Sequence, residues 1–384
     1  MNLKRYFKEK KYDRVKTNGI LRYALASSVG FLLVIGVIAI TSVSTIPAQE
    51  VTGNPYYYLT RHLLYLTVGL LLGYFAYRVK IDLVKKYSLF FLVLNIVLLA
   101  IVWQFGFSAG GAARWLVLGP VMIQPAEFIK LTFIMFFCAC LSNSGRSRIK
   151  KKKRGRNAFP KEMLICFSLF AVSLFFLHQQ PDISNLVILF SASAIVYFLS
   201  GASLQQAGLI AALGAGGLAA LIHFSSYRLD RLLVFLNPEA DPMGKGYQIK
   251  QALIAIGSGG LFGLGMGMSR QKMGFLPESM SDAIFAVFSE EAGFIGGFLV
   301  IFLFMLFLWS GIMISKRSPD RFSSLLAAGI TVWIIIQSFA NIGAMVKILP
   351  LAGIALPFLS YGGSHLVAEL IGVGLLFNIV KNKL

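Results

Sequence analysis

The chain has 384 residues, 57% of them hydrophobic and 14% charged, with a mean hydropathy of +0.74. A soluble globular domain carries about a quarter charged residues, so a soluble class is excluded. The net charge of +20 would suit nucleic acid as a partner, but its distribution along the chain argues for membrane topology instead.

Residues 1–20 read as a basic cytoplasmic tail. Apolar stretches of about 18 or more residues mark membrane helices. Such stretches, or the cores of them, fall at Leu21–Val43, Leu63–Tyr77, Ser88–Val102, Leu131–Leu141, Met163–Leu177, Leu186–Leu199, Gln206–Phe224, Ala283–Trp309, Leu325–Val346 and Leu366–Val380. The first is too long for a cleaved signal peptide and is kept as a span. The expected fold is an all-α polytopic membrane protein of ten transmembrane helices, with 21–384 as one membrane domain. An even number of spans puts both termini on one side. Most lysines and arginines lie on that side, in the tail, Arg78–Lys86, Arg146–Lys161, Lys316–Arg321 and the C-terminus. Basic loops stay in the cytoplasm, so both termini are expected inside. The run Lys150–Arg154 is read as a translocation stop that meets anionic lipid headgroups at most. Cys138, Cys140 and Cys166 all fall in spans and read as packing residues, without disulfide or metal.

The outer loops are Ser44–Arg61, Gln104–Ile123, His178–Asp182, Ser225–Asp282 and Lys347–Ser364. The fourth, loop 225–282, is too long for a mere connection. Within it, Tyr227–Leu236 is amphipathic with Arg228 and Arg231 on its polar side, and can lie flat at the interface. Asn237-Pro238 ends it, and Tyr247–Ile256 reads as a second helix. The run Gly257-Ser258-Gly259-Gly260-Leu261-Phe262-Gly263-Leu264-Gly265-Met266-Gly267 lacks the Gly-Lys-Ser/Thr of a nucleotide loop. It reads as close packing, with some backbone N–H groups free to meet a phosphate.

Asp282 closes the long loop where an apolar span begins, and an acid at a membrane mouth needs a reason. Glu127 and Lys130, three apart on a helix, form either a packing pair or part of a substrate cavity. Arg114, beside the interfacial Trp115, either snorkels or holds a phosphate. Arg228, Arg231, Lys245, Lys250, Arg270 and Lys272 make the long loop cationic, which suits an anionic substrate headgroup. His62, His178, His223 and His365 sit near outer ends of spans without metal-ligand spacing. Asp182 after Pro181 reads as a helix cap. Glu290 and Glu291 need buried partners, for which Lys130 is a candidate. The last outer loop, with two prolines and paired glycines, reads as re-entrant, which is tolerated only in a protein-lined cavity.

Four motifs in order then carry a resemblance that covers almost the whole chain. They are Arg114-Trp115 with Gln124-Pro125-Ala126-Glu127-Phe128-Ile129-Lys130-Leu131; Gln180-Pro181-Asp182; Gln271-Lys272 with Leu276-Pro277-Glu278 and Ser281-Asp282-Ala283-Ile284-Phe285; and Asn341-Ile342-Gly343 with Leu349-Pro350 and Leu356-Pro357-Phe358-Leu359-Ser360-Tyr361-Gly362-Gly363-Ser364. Together they resemble the SEDS family (shape, elongation, division and sporulation), typified by FtsW and RodA, with Gln271-Lys272 leaning to the FtsW and SpoVE branch. Ser281-Asp282-Ala283-Ile284 departs from the family's usual Thr-Asp-Phe-Ile, and Lys347 stands in a stretch that is usually uncharged.

The resemblance implies a peptidoglycan glycosyltransferase of the bacterial cytoplasmic membrane that polymerises lipid II, working with a class B penicillin-binding protein and without nucleic acid. It maps the essential aspartate to Asp282 and the charged pair to Glu127 and Lys130. Arg114, Arg228, Arg231, Lys272, Ser360 and Gly362 are expected at the substrate pyrophosphate. A divalent cation, Mg or Mn, is the one cofactor expected, and no nucleotide. The chemistry suits one acid, because a pyrophosphate departs without a proton and needs only cations. The alternatives are a flippase of lipid-linked precursors, which should show an inverted repeat, and a non-catalytic division scaffold.

Overall fold

The structure, a computed structural model, describes residues 3–109, 112–119, 121–152, 161–223 and 226–383. The side chains of 3–17, 108–112, 118, 121, 144–163, 218, 221–222, 226–228, 240 and 382–383 lie outside that description. Helices dominate: α1 Leu3–Thr52, α2 Tyr57–Arg78, α3 Ile81–Phe105, α4 Pro125–Lys152, α5 Lys161–Gln179, α6 Ile183–Leu199, α7 Leu204–His223, α8 Ser226–Leu236, α9 Lys245–Ser258, α10 Ile284–Arg317, α11 Arg321–Met345 and α12 Gly363–Lys383. Among the described residues, seven helices are long and apolar enough to cross a membrane: α1 from Asn18, α2, α3, α4, α10, α11 and α12. Leu164–Gln179 and Ile183–Leu199 are shorter apolar helices. The chain is a multi-pass helical membrane protein, and α1 reaches back into the basic segment expected to be a separate tail.

The middle of the bundle is α4, α11 and α12. The apolar windows of α12 and α4 are 89% and 83% buried, against 22% for α2, which lies at the outside of the bundle. Hydrocarbon outside removes the hydrophobic drive between helices, so close backbone approach takes its place. At Gly73 of α2, a Cβ would lie 2.7 Å from the Leu370 carbonyl oxygen of α12.

The fold is the expected helical one, with two local departures from the expected loops and spans. First, the outer loop Gln104–Ile123 carries a small sheet. It holds β1 Phe107–Ala109, β2 Ala112–Leu118 and β3 Val121–Ile123, an antiparallel meander in the order β1-β2-β3. Leu116 pairs with Ile123 and Leu118 with Val121, across a turn at Gly119 with φ +62°. Branched and aromatic residues between Gly and Pro favour strands, a signal masked by the apolar runs on either side.

Second, the span beginning at Ala283 is not continuous. Gly293 breaks α10 with φ 69° and ψ −169°. The broken helix leaves backbone groups that need partners in a low-dielectric setting. The glycine run supplies them: Leu264 and Gly265 N–H donate to the Glu290 and Glu291 carbonyls (3.0 and 3.1 Å), and Phe294 and Ile295 N–H donate to Gly260 and Leu261 (2.8 and 3.2 Å). The amides expected to meet a phosphate thus include two that complete a helix. A side chain at Gly293 would strike the Gly263 backbone, which is why both positions are glycine.

Candidate active site

The polar turn before α10 is held from behind by α11 and the last loop. Asn341 Nδ2 donates to the Asp282 carbonyl (2.7 Å) and the Ile354 carbonyl (2.6 Å). Ser360 Oγ donates to the Ser281 carbonyl (2.5 Å) and accepts from Leu356 N–H (2.7 Å). Tyr361 N–H donates to the Met280 carbonyl (2.8 Å). Three consecutive carbonyls, 280 to 282, are therefore fixed by the segment 341–361, and the direction of the Asp282 side chain follows from them.

The Asp282 carboxylate accepts no hydrogen bond from the described residues. It opens on a small recess lined by Ala340, Asn341, Ala344, Met345, Ala352, Gly353 and Ile354. A Cβ placed at Gly353 would lie 3.5 Å from Asp282 Oδ2 and 3.8 Å from Arg231 Nη2, so glycine there leaves room between acid and cation. Arg231, on α8, also donates from Nη1 to the Leu351 carbonyl (3.3 Å). Burial and the nearby Glu278 carboxylate push Asp282 up from an ordinary aspartate value to about 7, with Arg231 pulling the other way. That value is suited to a base working near neutral pH.

Beneath this turn lies a buried polar network. Lys130 Nζ donates to Glu127 Oε2 and to Gln337 Oε1, each at 2.8 Å. Asn185 Nδ2 donates to Glu127 Oε1 (3.0 Å) and Asp182 Oδ2 (2.9 Å). Asp182 accepts from Asn185 N–H (3.2 Å) as the cap of α6. Gln337 Nε2 donates to the Ala355 carbonyl (3.1 Å), and Glu369 Oε2 accepts from Phe358 N–H (3.0 Å). Phe358 has φ 65°, and its buried N–H would be costly without that acceptor. The Glu127–Lys130 pair thus joins helix packing to the loop that fixes Asp282.

The other nominated residues separate by what they touch. Arg114, on β2, donates to the Gln180 carbonyl (2.9 Å) and the Pro181 carbonyl (2.7 Å), bracing the α5–α6 turn. Lys272 donates to Glu291 Oε1 (2.9 Å), Ser42 Oγ (2.8 Å) and the Gly267 carbonyl (2.7 Å). An ammonium has three donors, and all are engaged here. Glu290 accepts from Ser269 Oγ (2.5 Å) and from Arg270 and Gln271 N–H (3.2 and 3.3 Å). Lys272 and the 269–271 backbone, not Lys130, are therefore the partners of the paired acids. Ser360 is fully buried as a brace, and Gly362 lies against the His365 ring. The Arg228 side chain lies outside the described residues. Arg231 is the nominated cation whose charge reaches Asp282. Lys347 is exposed, has φ 58°, and follows Met345 of the Asp282 recess by two residues.

Gln337 and Asn341 were not singled out from the sequence as site residues. The available signal was two amide side chains four apart in an otherwise apolar span, where each needs a partner.

The model of a family of cell cycle proteins, FtsW, RodA and SpoVE, matches residues 23–384. The chain belongs to that family. It is 37% identical over 352 residues to stage V sporulation protein E of Bacillus subtilis, covering 91% of this chain and 94% of that one. It is also 37% identical over 353 residues to a probable peptidoglycan glycosyltransferase FtsW of Coxiella burnetii, covering 91% and 93%. Among solved structures, one from a peptidoglycan synthase complex coordinating polymerisation and crosslinking superposes with a TM-score of 0.74 at 23% identity, over 94% of this chain and 97% of that one. Thermus thermophilus RodA superposes with a TM-score of 0.69 at 24% identity, over the same shares. These two likenesses establish the fold.

Proposed function

We propose that this peptidoglycan glycosyltransferase polymerises lipid II on the outer face of the bacterial cytoplasmic membrane, with Asp282 as its base. The observation that carries the reading is an aspartate fixed through its backbone, its carboxylate unengaged by described residues, with a value of about 7 and an arginine alongside. In the reaction, Asp282 takes the proton of the acceptor sugar hydroxyl as that oxygen attacks the anomeric carbon of the donor. The carbon–oxygen bond to pyrophosphate breaks, undecaprenyl pyrophosphate leaves with its electrons, and the carbon is inverted. Arg231 stabilises the departing charge.

Ten spans with both termini cytoplasmic fit this reading, since they put α8, α9 and the last loop outside, where lipid II is polymerised. A class B penicillin-binding protein is the proposed partner, supplying transpeptidation. Among the described residues no group of three or more His, Cys, Asp or Glu converges on a metal. Magnesium or manganese nevertheless fits, because such ions take one or two carboxylates and complete their shell with phosphate and water. Glu278 would hold it, with Asp282 left free as the base, and it would share the pyrophosphate charge.

The test is polymer formation from purified lipid II by the chain with its partner, wild type against Asp282→Asn. Polymer from the wild type and none from the variant is expected. A full yield from the variant overturns the base assignment, and no polymer from either returns the flippase and scaffold readings.

A further inference from the structure

At the loop end, α2 opens with two tyrosines and, one turn on, an arginine that the proposed chemistry does not use. Tyr57 and Tyr58 stand edge to face, their centroids 5.2 Å apart at 77°. Tyr58 meets Tyr361 of the last loop in the same way, at 5.3 Å and 80°. The Arg61 guanidinium lies 4.6 Å above the Tyr57 ring. Tyr57, Tyr58, Arg61 and Tyr361 are all partly exposed. The last of them is joined to the catalytic turn, since its N–H bonds the Met280 carbonyl at 2.8 Å, two residues before Asp282.

A membrane-interface belt would account for tyrosines at the end of a helix at the outside of the bundle. It does not account for one of them packing on a tyrosine from the loop that clamps the base. Flat aromatic rings with polar tips suit ligands that have apolar faces and hydroxyl edges. Pyranose rings are such ligands, presenting axial C–H groups to an aromatic face and hydroxyls at the rim. Arg61 adds a cation for the carboxylates that peptide-bearing amino sugars carry. The Asp282 recess is lined by none of these four residues, so the aromatic group is a separate surface, joined to the catalytic turn through the Tyr361 backbone.

We propose that Tyr57, Tyr58, Arg61 and Tyr361 form a saccharide subsite that holds the growing glycan strand beside Asp282. The proposal rests on the polymerase reading and adds to it where the product runs. Retention at such a site sets strand length, because each cycle competes with release.

The test compares Tyr58→Ala and Tyr361→Ala with Tyr58→Phe and Tyr361→Phe in the full chain with its partner. Strand length from labelled lipid II is read on a gel. Loss of one ring contact is expected to shorten the mean strand about fivefold, with the phenylalanine variants near wild type. In parallel, saturation-transfer NMR reads binding of a soluble β-1,4-linked N-acetylglucosamine–N-acetylmuramic acid oligosaccharide that lacks lipid and pyrophosphate. Binding by the wild type, weakened in the alanine variants, is expected. Wild-type strand length and unchanged saccharide binding in the alanine variants overturn the subsite. A wild type that binds saccharide but makes no polymer overturns the polymerase reading and leaves the subsite standing.

Discussion

Replacing Arg231 with glutamine tests the electrostatics of the site more sharply than removing the acid. Asp282 Oδ2 and Arg231 Nη2 lie 3.5 and 3.8 Å from one point at Gly353, so they are at most about 7 Å apart. Unit charges at that distance interact by about 0.6 kcal/mol in water and about 2.4 kcal/mol at an effective dielectric of 20. At about 1.36 kcal/mol per pH unit, loss of the cation raises the Asp282 value by roughly 0.4 to 1.7. The wild-type group stands at about 7 and is half ionised at pH 7. The variant therefore retains between about half and one twenty-fifth of the base form at pH 7, and recovers it in alkali. The measurement is kcat/KM for lipid II polymerisation from pH 5 to 9, which reports the free enzyme. An acid limb near pH 7 that moves alkaline in the variant is expected. A limb that stays in place, or a loss uniform across pH, would refute the reasoning and leave Arg231 as a phosphate contact alone.

Other perturbations probe the frame around that acid. Lys272→Met leaves Glu291 as a buried carboxylate without its cation and should cost about 3–5 kcal/mol in thermal unfolding, with Lys272→Met/Glu291→Gln costing less than the single change. If Lys272 instead held the substrate pyrophosphate, the single variant would raise KM and leave the melting temperature alone. Gly293→Ala puts a Cβ against the Gly263 backbone at a φ of 69°; about 3 kcal/mol or more should be lost, and an unchanged melting temperature would contradict the broken-helix account. Asp282→Asn should stabilise the fold in a pH-dependent way. Burial raises the folded value of Asp282, so its contribution to stability is greatest below about 3.8 and is lost as pH rises to about 7. The melting-temperature advantage of the variant should therefore grow between pH 4 and 7 and level off above, and a gap constant with pH would count against a desolvated acid whose folded value is raised.

Much of this protein is legible in the chain because membrane helices declare themselves locally. Hydrocarbon outside the bundle obliges each span to be apolar and to satisfy its own backbone, so α1, α3, α10 and α11 can be read from composition alone. The two helices of the long loop follow from local chemistry: α8 from its amphipathic spacing and α9 from the helical run after Asn237-Pro238. Asp282 stands out because a charge at a membrane edge is rare, and Glu127–Lys130 because helical spacing makes them neighbours. The cations are different. Arg114, Arg231 and Lys272 look alike as basic residues in polar loops, yet one braces a turn, one faces the acid and one is locked to Glu291. Which of these an arginine or lysine does depends on carbonyls and carboxylates distant in the chain, and only the fold brings them together. The same holds for the glycine run, whose amides complete a helix broken at Gly293, and for Asn341, which fixes Asp282 from α11. Local sequence determined where the chain enters the membrane and which acid is costly to keep. Long-range packing decided which partners surround that acid, and hence its charge at neutral pH.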